Sequence, residues 1–272
     1  MSFGHGTQSA FDEAAWLTLW ALGCPLDDLD GVAQRLVSSE EQARLQALLD
    51  ERIRSRKPTA YLTRQAWLQG VPFYVDERAI VPRSLIAELL ADGGIDPWLG
   101  THTRRVLDLC TGNGSLAVLA ALAYPDIQVL ASDVSADALA VARINIDQHG
   151  LQQRIELVQS DAFAQIAGRF DLILCNPPYV NAASMAALPA EYRAEPELAL
   201  AGGIDGMDFV RRLLTQADAY MSTHAVLVLE IGHERIHFEA AYPRLPAVWL
   251  ETSAGPDQVL LLTREALTGV AT

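Results

Sequence analysis

From residue 104 onward the chain alternates between two hydrophobic rhythms. Short apolar runs of strand length occupy residues 105–110, 127–132, 155–159, 170–175 and 225–231. Between them, residues 115–123, 135–148 and 206–221 carry apolar positions at helical spacing. Val210, Leu213, Leu214, Ala217 and Met221, for example, fall at i, i+3, i+4, i+7 and i+11 on a single face. This alternation predicts an α/β fold, a doubly wound sheet with helices on both faces, because parallel strands need crossovers long enough to hold a helix. Two last runs, 248–251 and 258–262, predict a closing pair of strands joined by Gly255-Pro256.

The first part of the chain has a different pattern. Ser39 can cap a helix with Gln42 as its capping-box partner, and Leu45, Leu48, Leu49 and Ile53 form one apolar stripe within it. Pro58 ends that helix. Residues 66–76 place aromatic and β-branched side chains on either side of Gln69-Gly70, which predicts a short β-hairpin. Turn formers then cluster at Asp92-Gly93-Gly94, Asp96-Pro97 and Gly100. They predict a division into a helical N-terminal domain, residues 1–92, and a larger domain, residues 93–272.

Composition narrows the setting. The longest uninterrupted apolar run, residues 116–124, is nine long, about half of the ~18 that span a bilayer. Residues 1–8 carry no Lys or Arg and lead into no apolar stretch, so neither a membrane span nor a secretory signal is expected. Cys24, Cys110 and Cys175 show no CxxC spacing, which predicts reduced thiols in or near the core, a cytoplasmic location and no thiolate metal site. The net charge is −14. Gripping duplex DNA calls for the opposite sign, whereas an acidic enzyme suits a basic protein substrate. Arg52, Arg54, Arg56, Lys57 and Arg64 make one basic stretch, open to two readings: a docking surface or a solvated face.

Two segments carry the chemistry. In Val106-Leu107-Asp108-Leu109-Cys110-Thr111-Gly112-Asn113-Gly114 a strand runs into a glycine loop and then a helix. Its glycines permit a tight turn and close approach of backbone to a ligand. Asp133, twenty-five residues after Asp108 at the end of the next strand, can accept from both ribose hydroxyls of an adenosine-type cofactor. The loop lacks the third glycine of a dinucleotide fingerprint, and an ordinary strand-to-helix turn would show the same glycines. The second segment, Asn176-Pro177-Pro178-Tyr179, ends the fourth strand and is more specific. Asn176 is held extended by the proline after it, and the prolines add no donors. The Asn176 side-chain oxygen and a neighbouring carbonyl thus form a stiff cluster of acceptors beside an aromatic ring, which suits a planar –NH₂ group with two protons to place. An amide nitrogen is a poor nucleophile because its lone pair is delocalised. Acceptors on both hydrogens favour the localised lone pair and aim it at an activated carbon, with no strong base needed.

Taken together, residues 108–114, Asp133, Ser160-Asp161-Ala162 and residues 176–179 resemble the class I S-adenosylmethionine-dependent methyltransferases. More narrowly they resemble the protein-(glutamine-N5) methyltransferases of the HemK/PrmC and PrmB group. Ala60-Tyr61-Leu62-Thr63, Ala66-Trp67, residues 73–78 and Val81-Pro82-Arg83-Ser84 are similar to the PrmB branch, whose substrate is large-subunit ribosomal protein three. The release-factor branch usually has a proline and an acidic pair after that arginine, where this chain has Ser84-Leu85-Ile86. The stretch through Leu188-Pro189, Tyr192-Arg193, residues 195–200 and residues 202–206 also matches, so the resemblance covers roughly residues 40–263.

The resemblance implies a Rossmann-like, seven-stranded, mostly parallel sheet with a small helical N-terminal domain that selects the substrate. It implies S-adenosyl-L-methionine as cofactor, with Asp108, Thr111, Gly112 and Gly114 around it, Asp133 on its ribose and Asp161 with Ala162 at the adenine edge. It implies that Asn176 and Pro177 accept from the target amide, that Tyr179 packs on it, and that Arg83 and Asn176 lie near the cofactor. Asn113 stands where the family commonly has serine or threonine, and Leu85 where this branch commonly has proline. Neither removes a group the chemistry requires. The implied partners are large-subunit ribosomal protein three and ribosome assembly intermediates, with no membrane and no duplex DNA. Glutamine methylation of release factors is the alternative, followed by N-methylation of an exocyclic base amine. The latter should bring a basic recognition domain, yet the first hundred residues hold 9 Lys plus Arg against 14 Asp plus Glu. His233-Glu234-Arg235-Ile236-His237 matches the HExxH zinc pattern, but it follows Gly232 directly after a strand and has no third ligand by spacing, so a helix turn and no metal are expected.

Overall fold

The computed structural model describes residues 1–268. Four helices open the chain, α1 (Ala10–Ala21), α2 (Leu29–Val32), α3 (Ser39–Ser55) and α4 (Thr59–Thr63), followed by a hairpin of β1 (Ala66–Leu68) and β2 (Val71–Phe73) and by α5 (Ile86–Ala91). Then come β3 (Arg105–Leu109), α6 (Ser115–Ala123), β4 (Gln128–Asp133), α7 (Ala136–Gln148), β5 (Ile155–Gln159) and β6 (Phe170–Cys175). After α8 (Ala182–Ala187) follow α9 (Asp208–Tyr220), β7 (Met221–Glu230), α10 (Arg235–Ala241), β8 (Val248–Thr252), β9 (Gly255–Thr263) and α11 (Arg264–Leu267). The seven strands β3–β9 form one sheet in the order β5-β4-β3-β6-β7-β9-β8. All neighbours are parallel except β9, which runs antiparallel to β7 and β8.

The expected α/β sheet is present because its inner strands are buried on both faces and so read as continuous apolar runs. Val106, Leu172, Leu174, Val226 and Val228 face α5 and α6 on one side, while Leu107, Ile173 and Leu227 face Val210, Leu213 and Leu214 of α9 on the other. Chain order reverses between β3 and β6: β4 and β5 add on one side, β6 and β7 on the other. A crevice opens at such a switch point, beyond the carboxyl ends of the strands.

Several boundaries differ from expectation. Helix α9 ends at Tyr220, and Met221 already pairs with Phe170, so β7 starts four residues before the apolar run does. The closing hairpin turns at Ser253-Ala254; Thr252 pairs with Gly255, which places Gly255-Pro256 inside β9. In α3 the cap is Ser38, not Ser39. Its hydroxyl accepts from Glu41 N while the Glu41 carboxylate accepts from Ser38 N, a charged partner that a box with Gln42 would lack. Helix α3 stops at Arg56, in the left-handed region at φ 60°, before the residue preceding Pro58 would have to be helical. Ile53 is 61% exposed, and Arg52 takes the inward position at 2%, paired with Glu13 of α1. The hairpin turns at Gln69-Gly70 as expected, with positive φ of 49° and 73°, matching the twist of a two-residue turn. Helix α5, on the N-terminal side of the turn cluster at 92–100, buries Ile86, Ala87, Leu89 and Leu90 in the same core as Val106 and Ala117 of the sheet layer.

Candidate active site

The crevice is walled first by the loop after β3. Asp108 is fully buried. Its Oδ2 accepts from Thr111 Oγ1 and from Ala117 N at 3.0 Å, which pins the loop to the first turn of α6. Its Oδ1 has no hydrogen-bond partner among the described residues. Burial pushes the Asp108 carboxyl up to about 7. The two glycines serve different ends. Gly112, at φ 56°, would place a Cβ in open space, so only backbone conformation and ligand approach demand glycine there. Gly114, at φ 81°, would bring a Cβ within 3.0 Å of Ala142, so it lets α6 pack against α7.

Asp133, at the end of β4, is fixed by two backbone donors. Gly112 N reaches Oδ2 and Ser135 N reaches Oδ1, both at 2.9 Å. Burial raises its carboxyl above the usual range, against the pull of these bonds. Each carboxylate oxygen keeps a second lone pair for a ligand hydroxyl.

A cavity of about 760 Å³ fills the switch point, a size that suits a nucleoside cofactor together with a side chain. Of the expected residues, Gly112, Asp133, Asp161, Ala162 and Asn176 line it. Asp108, Thr111 and Gly114 lie behind this wall and shape the loop. Pro178 lines the cavity, whereas Pro177 is buried behind it. Tyr179 does not face the cavity. Its hydroxyl meets Glu230 Oε1 at 3.3 Å, and its ring lies so close to Gly232 that a Cβ there would fall 2.5 Å from Cε2. Burial raises the Tyr179 hydroxyl well above the ordinary phenol range. Arg83 also stands off the cavity. It holds Glu195 through two 2.7 Å bonds and lies 5.4 Å above the Tyr192 ring.

Sequence reasoning assigned no role to three parts of the wall. Arg78, Ala79 and Ile80 close one side, Phe209 and Arg212 of α9 another, and the exposed Leu198 sits at the rim. Arg212 pairs with Asp161 at 2.7 Å. The periodic pattern of α9 advertised only its buried face, so its cavity-facing residues carried no signal. Arg78 ends one quoted motif, and Ala79 and Ile80 lie between it and the next, but no local pattern marks a wall. At the HExxH sequence, Glu234 stands just before α10 with its side chain turned to other partners, accepting from Asn181 Nδ2 at 2.7 Å and standing 2.6 Å from His237 Nδ1. Among the described residues no group of three His, Cys, Asp or Glu side chains could hold a metal ion.

Comparison with known proteins agrees with this geometry. Residues 87–191 match the methyltransferase small domain, and residues 4–63 match the PrmC N-terminal domain. The ribosomal protein uL3 glutamine methyltransferase of Bordetella pertussis is 56% identical over 270 residues, covering 98% of this chain and 90% of its own. The chain belongs to the uL3 glutamine methyltransferase family. Its counterpart in Neisseria gonorrhoeae is 51% identical over 98% of this chain and 90% of its own. A methyltransferase from Pyrococcus furiosus shares the fold, with a TM-score of 0.52 at 16% identity over 84% of this chain and 99% of its own. As a member of this family the protein is a protein glutamine methyltransferase with S-adenosylmethionine as methyl donor, built on the class I fold. The residues present fit that cofactor: a largely buried carboxylate at the end of β4 with lone pairs to spare, and an open glycine backbone beside it, both lining the cavity. No described helix is long and apolar enough to cross a membrane.

Proposed function

We propose that this enzyme methylates the side-chain nitrogen of a glutamine in ribosomal protein uL3, with S-adenosylmethionine as the donor. One observation carries the reading: Asp133 and Asn176 line the same cavity, so a cofactor's ribose end and an amide-accepting corner share one space. When bound, the cofactor supplies a methyl carbon made electrophilic by its sulfonium. Asp133 accepts from the ribose hydroxyls, Gly112 lets the loop pass close while Gly114 seats α6 against α7, Asp161 with Ala162 borders the adenine, and Asp108 with Thr111 holds the loop in shape. The Asn176 side-chain oxygen accepts one amide hydrogen, and the main-chain carbonyl of Pro177, whose ring is buried behind the wall, is assigned the other. Because neither proline offers a donor, nothing at this corner competes for those acceptors. The residues therefore orient an existing nucleophile, and alignment supplies much of the rate.

The relatives' shared name points to uL3 as acceptor, and a net charge of −14 suits a basic ribosomal protein. The helical N-terminal region is assigned to choosing that substrate, and large-subunit assembly intermediates are assigned as a second form of it. A nucleic-acid acceptor fits less well, because much of the basic stretch is already paired with acidic side chains of the same chain. Arg52 and Arg56 bond Glu13 and Glu191, and Lys57 bonds Glu77 at 2.7 Å. The test incubates the purified enzyme and labelled cofactor with uL3, immature large-subunit particles, a release factor and duplex DNA. Label on uL3, free or in particles, is expected; label on the release factor or DNA in its place overturns the assignment.

A further inference from the structure

Strand β7 ends in Glu230, a carboxylate only 3% exposed between the buried apolar side chains Leu229 and Ile231. Packing does not call for a carboxyl here, and burying one is costly unless its oxygens are satisfied. Three neutral donors satisfy it. Oε2 accepts from Ser84 Oγ at 2.6 Å and from Leu85 N at 2.9 Å, and Oε1 takes the Tyr179 hydroxyl at 3.3 Å. Those donors come from two separate pieces of chain. Ser84 and Leu85 end the segment whose Ala79 and Ile80 line the cavity, and Tyr179 ends the corner whose Asn176 and Pro178 line it. Glu230 therefore ties two cavity walls together from behind.

The corner can transmit that tie. Gly202 and Gly206 abut the Tyr179 main chain, where added Cβ atoms would fall 2.7 Å from its carbonyl carbon and 2.2 Å from its oxygen, and Gly232 beds its ring. Pro177 and Pro178 fix φ between Tyr179 and Asn176, so little freedom is left along the connection. From this we infer that Glu230 is a positioning residue for methyl transfer, acting through Tyr179 to set where the Asn176 and Pro177 acceptors stand relative to the 79–85 wall. The inference rests on the reading of Asn176 as amide acceptor. It gives Tyr179 the role of an anchor for the corner, in place of a ring packed on the substrate.

The test compares Glu230→Leu, Glu230→Gln, Tyr179→Phe and the Glu230→Leu/Tyr179→Phe double variant. The readouts are kcat, KM for uL3, cofactor Kd by calorimetry and thermal midpoint. Misplacing an aligned group by about 1 Å costs about a hundredfold in rate. Glu230→Leu and Tyr179→Phe should each lower kcat by about ten- to a hundredfold with cofactor Kd nearly unchanged, and the double variant should be no worse than the poorer single one. Glu230→Gln, which keeps the shape and an acceptor, should recover most of kcat. Losses that multiply in the double variant, or a lowered thermal midpoint with kcat intact, overturn the inference. If Glu230→Leu does not fold, Tyr179→Phe and Ser84→Ala, which keep the carboxylate, decide by the same kcat and Kd criteria. Asn176→Ala run in parallel separates the two ideas. If it leaves turnover unchanged the acceptor reading itself fails, whereas a loss there with Glu230 and Tyr179 indifferent removes only the positioning role.

Discussion

Asn176 is shaped by its neighbours in sequence before the fold acts on it. The following proline keeps it extended, and the strand before it delivers it to the cavity. Because its side chain offers an acceptor and no base, its removal should slow chemistry and spare the cofactor. Asn176→Ala is expected to reduce labelled methyl transfer by about a hundred- to a thousandfold, by analogy with deleting one preorganised polar group at a reacting centre, while calorimetry still detects cofactor binding. Asp133 should show the reverse pattern. Its contacts with ribose hydroxyls would each contribute about 1.5 kcal/mol or more, so Asp133→Ala should raise the cofactor Kd at least about tenfold. A Kd that stays put would remove the ribose role. These two side chains were visible in the sequence because local rules mark them: a proline constraint for one, a strand end after a glycine loop for the other. Glu230 was not, since nothing in a run of apolar residues ending in glutamate announces which loops will meet it.

At the scale of elements, the joint between the N-terminal helices and the segment after α8 is ionic and buried. Arg52 of α3 bonds Glu13 of α1 and lies 3.6 Å from Glu191, which also accepts from Arg56 at 2.7 Å. Removing one member leaves a buried charge without its counterpart, so Arg52→Ala should cost about 3 kcal/mol in a denaturant titration. Nearby, Glu195 accepts from Arg83 and stands 3.4 Å from His5 Nε2. Burial alone would raise its carboxyl, but Arg83 and His5 outweigh that and hold it at about 2 against an ordinary 4.5. The folded-state value is the lower one. The stabilisation is therefore complete above about pH 4.5 and fades as pH falls toward 2. Thermal midpoints measured across that window should fall, and Glu195→Gln should flatten this part of the curve. Sequence periodicity missed this joint because it scored Ile53 as inward and Arg52 as solvated. A stripe defined by apolarity cannot register an arginine whose partners arrive from residues 13 and 191.

For the whole molecule, the sheet order decides where ligands go. Reversal between β3 and β6 opens one crevice, and the glycine loop, Asp133 and the Asn176 corner all stand at its mouth. A ligand bound only by the folded state stabilises it by mass action, about 2.7 kcal/mol at a hundred times its Kd. S-adenosylmethionine should accordingly raise the thermal midpoint of the intact protein in a concentration-dependent way, and the rise should shrink in Asp133→Ala. A midpoint indifferent to the cofactor would count against the cavity as its site.

The sequence by itself determined the parallel strands, the limits of α6 and α7, the hairpin at Gln69-Gly70, the glycine loop and the stiff Asn176 corner. All of these follow from hydrophobic period, turn chemistry and proline geometry, which act over a few neighbouring residues. Only the tertiary structure decided that Arg52 turns inward, that Tyr179 faces Glu230 and not the cavity, and that residues 78–80 and the N-terminal end of α9 complete the wall. Those outcomes depend on pairs far apart in sequence, such as Ser84 with Glu230 and Arg83 with Glu195, whose meeting is fixed by strand order and by the need to satisfy buried charge.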